Sequence, residues 1–318
     1  MIFLLQKTLI YAAPLLIVAL AGMFAERSGI INLALEGEMI FGAFIGAIMA
    51  RIFLNNEILT GNIQLFFVII LLIAGVSGGI FSILLSISAV KLKADQTIGG
   101  TALNMLAPAI VNAFALSLFN SEKVQMPANF GGYVIKNPEL PALLQIFGDK
   151  AYISTYIIVI MFIVLSVWIY KTRTGLRLRS CGEHPQAAAS VGINVFKMRY
   201  LGTTISGFLA GVGGYTYIAT VANGTAESSV GGMGFLALAI MIFGNWKPLG
   251  IALGALLFGF LKCIGPVSSS IEFLQKLGLP MYFYNIIPYL VVLIVLALTA
   301  KKSGCPKAEG IPYDKGMR

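Results

Sequence analysis

Apolar residues run along this chain in blocks too long for the elements of a water-soluble domain. Nine such blocks cover 8–24, 31–50, 63–90, 98–119, 152–170, 200–221, 232–245, 248–265 and 283–300, and polar residues gather between them. A helix that crosses a bilayer needs about 17–25 mostly apolar residues. The pattern therefore predicts an all-α, polytopic integral membrane protein with about nine transmembrane helices (roughly eight to ten) in one transmembrane domain over 1–318. Two blocks depart from the plain form. The 232–245 block is short, which suits a span in a thin region or a re-entrant or broken helix. The 31–50 block carries Glu36, Gly37 and Glu38 near its start, and such an interruption predicts a broken span.

Composition agrees with the pattern. Hydrophobic residues make up 58% of the chain and charged residues 11%, whereas a soluble domain carries about 25% charged residues. The 35 glycines suit helices packed closely in lipid. Pairs at GxxxG spacing, Gly42/Gly46, Gly75/Gly79, Gly207/Gly211 and Gly250/Gly254, predict packing within one subunit rather than dimerisation. Three cysteines without CxxC spacing and one histidine predict neither a disulfide framework nor a metal site, and no cofactor is expected.

The net charge of +9 would suggest nucleic acid in a soluble protein. Here the basic residues lie between blocks, so they report orientation instead, and no nucleic-acid partner is expected. The 171–199 loop holds Lys171, Arg173, Arg177, Arg179, Lys197 and Arg199 against a single acid, Glu183. The 301–318 tail holds Lys301, Lys302, Lys307, Lys315 and Arg318, and Lys91 and Lys93 mark a third basic connection. All three are predicted to be cytoplasmic. The 120–150 loop balances Lys123, Lys136 and Lys150 against Glu122, Glu139 and Asp149, so it is predicted to be external. Its Pro127, Phe130, Tyr133, Pro138 and Pro141 suit an interfacial segment that docks a binding protein, or a plain connector. Nine blocks with an external N-terminus satisfy all of these assignments. The first block, with Lys7 and Ala19-Leu20-Ala21, resembles a secretion signal, but further spans follow it and it reads as a retained span.

The most polar stretch is TRTGLRLRSCGEHPQAAASVGINVFKMR, 172–199. Pro185 suits the first position of a helix and Gly192 the position just past its end. A helix of about two turns is marginal alone in water, so something must hold it. Its side chains Ala187, Ala188, Ala189 and Ser190 are small enough to seat in a partner's groove, and the flanking arginines suit lipid phosphates or acidic patches. An ordinary loop whose charges only fix topology fits the composition as well.

The order of residues says more. Thr172, Gly175, Arg179, Gly182, Pro185, Ala187, Ala188, Gly192, Ile193 and Asn194 resemble the coupling segment of ABC-importer permeases that carry branched-chain amino acids, ribose-type sugars and nucleosides. ERSGIINLALEGEMIFGAF, 26–44, and ADQTIGGTALNMLA, 94–107, are similar to segments of the nucleoside-type branch. GNWKPLGIALGALLFG fits that family's late glycine-rich hairpin, so the resemblance covers nearly the whole chain. Relative to the sugar permeases the chain lacks one N-terminal span, in keeping with an external N-terminus.

The resemblance implies a type II ABC-importer permease fold in a bacterial cell membrane. It implies a second permease subunit, identical or not, an extracytoplasmic substrate-binding protein, and an ABC ATPase subunit. The ATPase would grip the short helix through Glu183, His184, Pro185, Ala187, Ala188, Gly192 and Asn194. The solute would be a nucleoside or a related sugar-like molecule, with a ribose-type sugar as the alternative. No G-x-x-x-x-G-K-[ST] occurs in the sequence, so this is read as a transport subunit, not an enzyme, with ATP hydrolysis on a separate chain.

Polar residues inside spans are costly and usually face a cavity or a partner. Asn32, Glu36 and Asn104 are the candidates for the substrate pathway. Glu36 and Glu38 are two apart and cannot share a helical face. One is expected to face the pathway while the other pairs with Arg27 or backbone amides. At Glu36 a structural role at the helix break competes with substrate contact, and asparagines also stitch helices together. An ion-coupled secondary transporter would need paired ionisable residues at mid-membrane. A membrane enzyme would need a catalytic cluster, which the one histidine, His184, does not supply.

Overall fold

The computed structural model describes residues 2–58, 61–126, 134–135, 151–268, 271–276, 278, 280–299 and 304–316. The expected interfacial segment with Pro127, Phe130, Tyr133, Pro138 and Pro141 lies outside the described residues, as do Lys301, Lys302 and Arg318. Helices occupy all nine apolar blocks. They are α1 (Ile2–Arg27), α2 (Leu35–Asn55), α3 (Ile63–Ser86), α4 (Gln96–Phe119), α5 (Ile153–Lys171), α8 (Val195–Thr220), α9 (Met233–Phe243), α10 (Pro248–Val267) and α12 (Met281–Thr299). Two short helices, α6 (Arg173–Glu183) and α7 (Pro185–Ser190), lie between α5 and α8, and α11 (Glu272–Lys276) precedes α12. Among the described residues six helices, α1 to α5 and α10, are long and apolar enough to cross a membrane. The other three are α8, which carries Lys197 and Arg199 in its first turns, α9 with 11 residues, and α12, apolar over Met281–Val295.

The 31–50 block is not broken at Glu36, Gly37 and Glu38 as expected: the helix runs through all three, and only the residues ahead of them are non-helical. Residues 28–34 form no helix, and α2 starts only at Leu35. Elsewhere the sequence supplies its own stops. Asp95 caps α4 by accepting the amides of Ile98 (3.1 Å) and Thr97 (2.8 Å), and these bonds hold its carboxyl below the usual range. A π-helical turn, Ile87–Lys91, ends α3.

Helix α8 is the centre of the bundle, packed against α1, α2 and α3. Its glycines make that approach possible. A Cβ at Gly211 would collide with the Ala74 carbonyl of α3, and one at Gly42 of α2 would collide with Gly211 itself. Backbone contact of this kind is how helices associate in lipid, where apolar burial between them supplies little drive. These glycines act within one subunit, as their spacing suggested.

The connections sort to two ends. At one end Arg27 pairs with Glu183 (3.3 Å) and donates to the Trp246 carbonyl (3.0 Å), and Lys93 pairs with Asp314 (2.6 Å). At the other end β1 (Val124–Gln125) pairs antiparallel with β4 (Thr225–Ala226), beside a Lys123–Glu227 ion pair of 2.8 Å. A second small ribbon joins β2 (Val134–Ile135) to β3 (Ala151–Tyr152).

Candidate functional site

The start of α2 and the short helix α9 meet inside the bundle, and three polar side chains hold them. Asn104 lies eight residues into α4, about 12 Å along its axis at 1.5 Å per residue. Its Nδ2 donates to the Leu33 carbonyl (2.6 Å), and its Oδ1 accepts the Gly37 amide (2.7 Å). Asn104 thus satisfies backbone groups that the helix start leaves without partners.

Asn32 has no exposed surface. Its Nδ2 donates to both oxygens of Glu38 (3.2 and 3.0 Å) and to Ser206 Oγ of α8 (2.9 Å), and its Oδ1 accepts the Ala34 amide (3.0 Å). The Glu38 partner is therefore Asn32, while Arg27 is engaged by Glu183 and the Trp246 carbonyl.

Glu36 does two things at once. Its Oε1 accepts the Gly232 amide (2.9 Å) and its Oε2 the Gly234 amide (2.6 Å), so a carboxylate from α2 caps the N-terminus of α9. That terminus needs an outside cap, because its own N-cap residue is Gly232, which has no side chain to offer. Gly232 is in the left-handed region (φ 72°), where glycine costs least. A negative charge also suits the positive end of the helix dipole. The same turn is held from α10 and α12: Lys262 Nζ donates to the Gly231 carbonyl and to Tyr289 Oη, both at 3.0 Å.

Beside this junction is an open cavity of about 390 Å³. Glu36, Thr101, Asn104, Ser228 and Ser229 give it polar groups, and Ile40, Met105, Pro108 and Phe235 give it an apolar wall. Of the three pathway candidates the cavity brings together Glu36 and Asn104, whereas Asn32 lies in the buried Glu38–Ser206 cluster. Thr101, Ser228, Ser229 and Phe235 had no signal in the sequence. Ser228 and Ser229 lie in the loop before α9, and Phe235 in its first turn.

The short polar helix forms where the sequence places it. His184 is the N-cap of α7, with Nδ1 accepting the Ala187 amide (3.4 Å), and Pro185 occupies the first turn. Gly192 has φ 83°, past the helix end, and Asn194 caps α8 by accepting the Lys197 amide (3.0 Å). Glu183, His184, Ala187, Gly192 and Asn194 are exposed. Pro185 and Ala188 are buried, and Ala188 packs in a small core with Cys181, Val195 and Tyr313. Burial pushes the Cys181 thiol up to about 11. The face of α7 left to a partner is therefore carried by Gln186, Ala187 and Ser190.

The family model described as branched-chain amino acid transport system, permease component, matches residues 4–296. The guanosine ABC transporter permease protein NupQ of Bacillus subtilis is 38% identical over 315 residues, 98% of this chain and 96% of that protein. The nucleoside ABC transporter permease protein NupC of Lactococcus lactis is 36% identical over 309 residues, 96% of this chain and 95% of that protein. A second Bacillus subtilis protein, the guanosine ABC transporter permease protein NupP, is 23% identical over 297 residues, 92% of this chain and 81% of its own length. No solved structure matches.

Proposed function

The chain belongs to the permease family of branched-chain amino acid transport systems, and from that membership we propose that it is the nucleoside-conducting permease subunit of an ATP-driven importer. The observation that carries the reading is the cavity at the α2–α9 junction. Two helix starts converge there on a carboxylate and an amide, an arrangement that transporters use to build a solute site from discontinuous helices. Its two characters suit a nucleoside. Ile40, Met105, Pro108 and Phe235 offer a surface for the flat base, while Asn104, Thr101, Ser228 and Ser229 offer partners for base edges and ribose hydroxyls. Near-full-length similarity to proteins named as guanosine and nucleoside permeases supports the same class.

In this reading nine helices cross a bacterial cell membrane, with 171–199 and the tail cytoplasmic and 120–150 external. The basic excess of the first two supports that orientation. Asn32 holds the start of α2, while Glu36 and Asn104 line the path. The exposed part of 183–194 meets an ABC ATPase subunit, and an extracytoplasmic binding protein delivers the solute. A second permease subunit, identical or not, completes the pathway.

The test is uptake of labelled guanosine into membranes that hold the permease pair, the ATPase and the binding protein. Uptake is expected to require ATP hydrolysis and to be competed by other nucleosides. Competition by free ribose but not by nucleosides would replace the substrate with a sugar. Uptake driven by an ion gradient without ATP would overturn the reading.

A further inference from the structure

We propose that the C-terminal segment 304–316 forms, together with α7, one docking surface for an acidic segment of the ATPase subunit; the inference rests on the importer reading above. The segment is threaded along the end of the bundle that carries α7. The Ala308 amide donates to the Gly182 carbonyl (2.8 Å), just ahead of α7, and the Gly310 amide to the Gly29 carbonyl (3.3 Å). Arg199, 1% exposed, donates through Nη1 to the Ile311 carbonyl (2.9 Å). Tyr313 then enters the small core under Ala188, its ring 5.2 Å from that of Phe196, and Asp314 is pinned by Lys93. The inner face of α7 thus rests partly on the tail.

Next to that contact is a concavity of about 680 Å³. One wall is Gln186, Ser190 and Asn194 from the α7–α8 region; the other is Tyr313, Asp314 and Lys315 from the tail. A six-residue helix alone offers a partner little area, and the tail supplies the second side of a cleft.

Charge selects the occupant. The only acid lining the cleft among the described residues, Asp314, is engaged by Lys93 of the chain. Among the described residues Lys315, which lines the cleft, makes no ion pair and lies over the Phe196 ring. The uncompensated charge of the cleft is positive, and a complementary surface must bring carboxylates.

Photo-crosslinking in membranes holding the assembled transporter tests this. Benzoylphenylalanine is placed at Ser190, at Lys315 and, as a lipid-facing control, at Val164. Crosslinks to the ATPase are expected from 190 and 315 and not from 164. A crosslink from 190 alone overturns the tail's part in docking and leaves the importer reading standing. Crosslinks from neither 190 nor 315 overturn both. Lys315→Glu, an exposed charge reversal, is expected to weaken ATPase copurification about tenfold, because charge complementarity acts on association. Copurification at the wild-type level overturns the acidic partner.

Discussion

Glu36 joins two roles that the sequence left in competition. Its carboxylate spans two amides of α9 while its flank lines the cavity. Glutamine has the same shape but turns an NH2 toward one of those amides, so one charge-assisted bond is lost. Such bonds are worth about 1.5–3 kcal/mol each. Glu36→Gln is therefore expected to lower the melting temperature in detergent and to cut solute uptake about tenfold or more, with yield reduced less than uptake. Unchanged melting and unchanged uptake in a well-expressed variant would remove both roles. The capture itself could not be read from the chain. Donor and acceptor are 196 residues apart, and the donors are backbone amides that carry no residue-type signature. What the sequence did expose was the cost of two acids in an apolar block; both lie in the first turn of α2, just past the non-helical residues 28–34.

At the level of elements, helices were legible wherever apolar blocks were long, and the two ends of α7 were legible in Pro185 and Gly192; the caps at Asp95 and Asn194 came only with the structure. The faces of α7 were not. A run of three alanines has no polar side, so nothing in it indicates that Ala188 turns inward to Cys181 and Tyr313 while Ala187 turns outward. Substitution separates the two. Ala188→Arg forces a cation into the chain's own core, at several kcal/mol for an unpaired buried charge, and is expected to reduce the folded yield. Ala187→Arg leaves that core intact, so the protein is expected to accumulate normally while ATPase copurification falls at least about tenfold, since a protruding cation meets the partner's groove. Equal yields for the two variants would mean that the helix is rotated from the orientation described. The tail was legible only as a basic segment. Its anchors are carbonyls of Gly182 and Gly29 and the side chains of Arg199 and Asn245, and contacts to backbone leave no pattern to read.

For the whole molecule, orientation is the property to test, and the native thiols make the test clean. Cys181 and Cys263 are buried. Cys305 is exposed, but burial of its sulfur and the neighbouring Glu309 carboxylate, which accepts its S–H at 2.6 Å, push it up to about 12. A raised thiol pKa means less thiolate at any pH below it, so Cys305 stays protonated and slow to alkylate at pH 8. Introduced cysteines then report alone. In intact cells a membrane-impermeant maleimide is expected to label Ser121→Cys and to spare Ser190→Cys until the membrane is opened; the reverse pattern would invert the molecule. The central position of α8 has a further consequence, in time. Helices α1 to α3 pack on a glycine-lined partner that lies more than a hundred residues downstream of Lys91 in the chain. At ribosomal rates of about 5–20 residues per second, that partner arrives on the order of ten seconds after α3 has been made. During that interval the groove around Gly42 and Gly78, shaped for the backbone of α8, stands unfilled by its partner. The early helices of the newly made chain therefore reach their final packing only when the late helix α8 arrives, so the glycines that shape the centre of the bundle act last in its assembly.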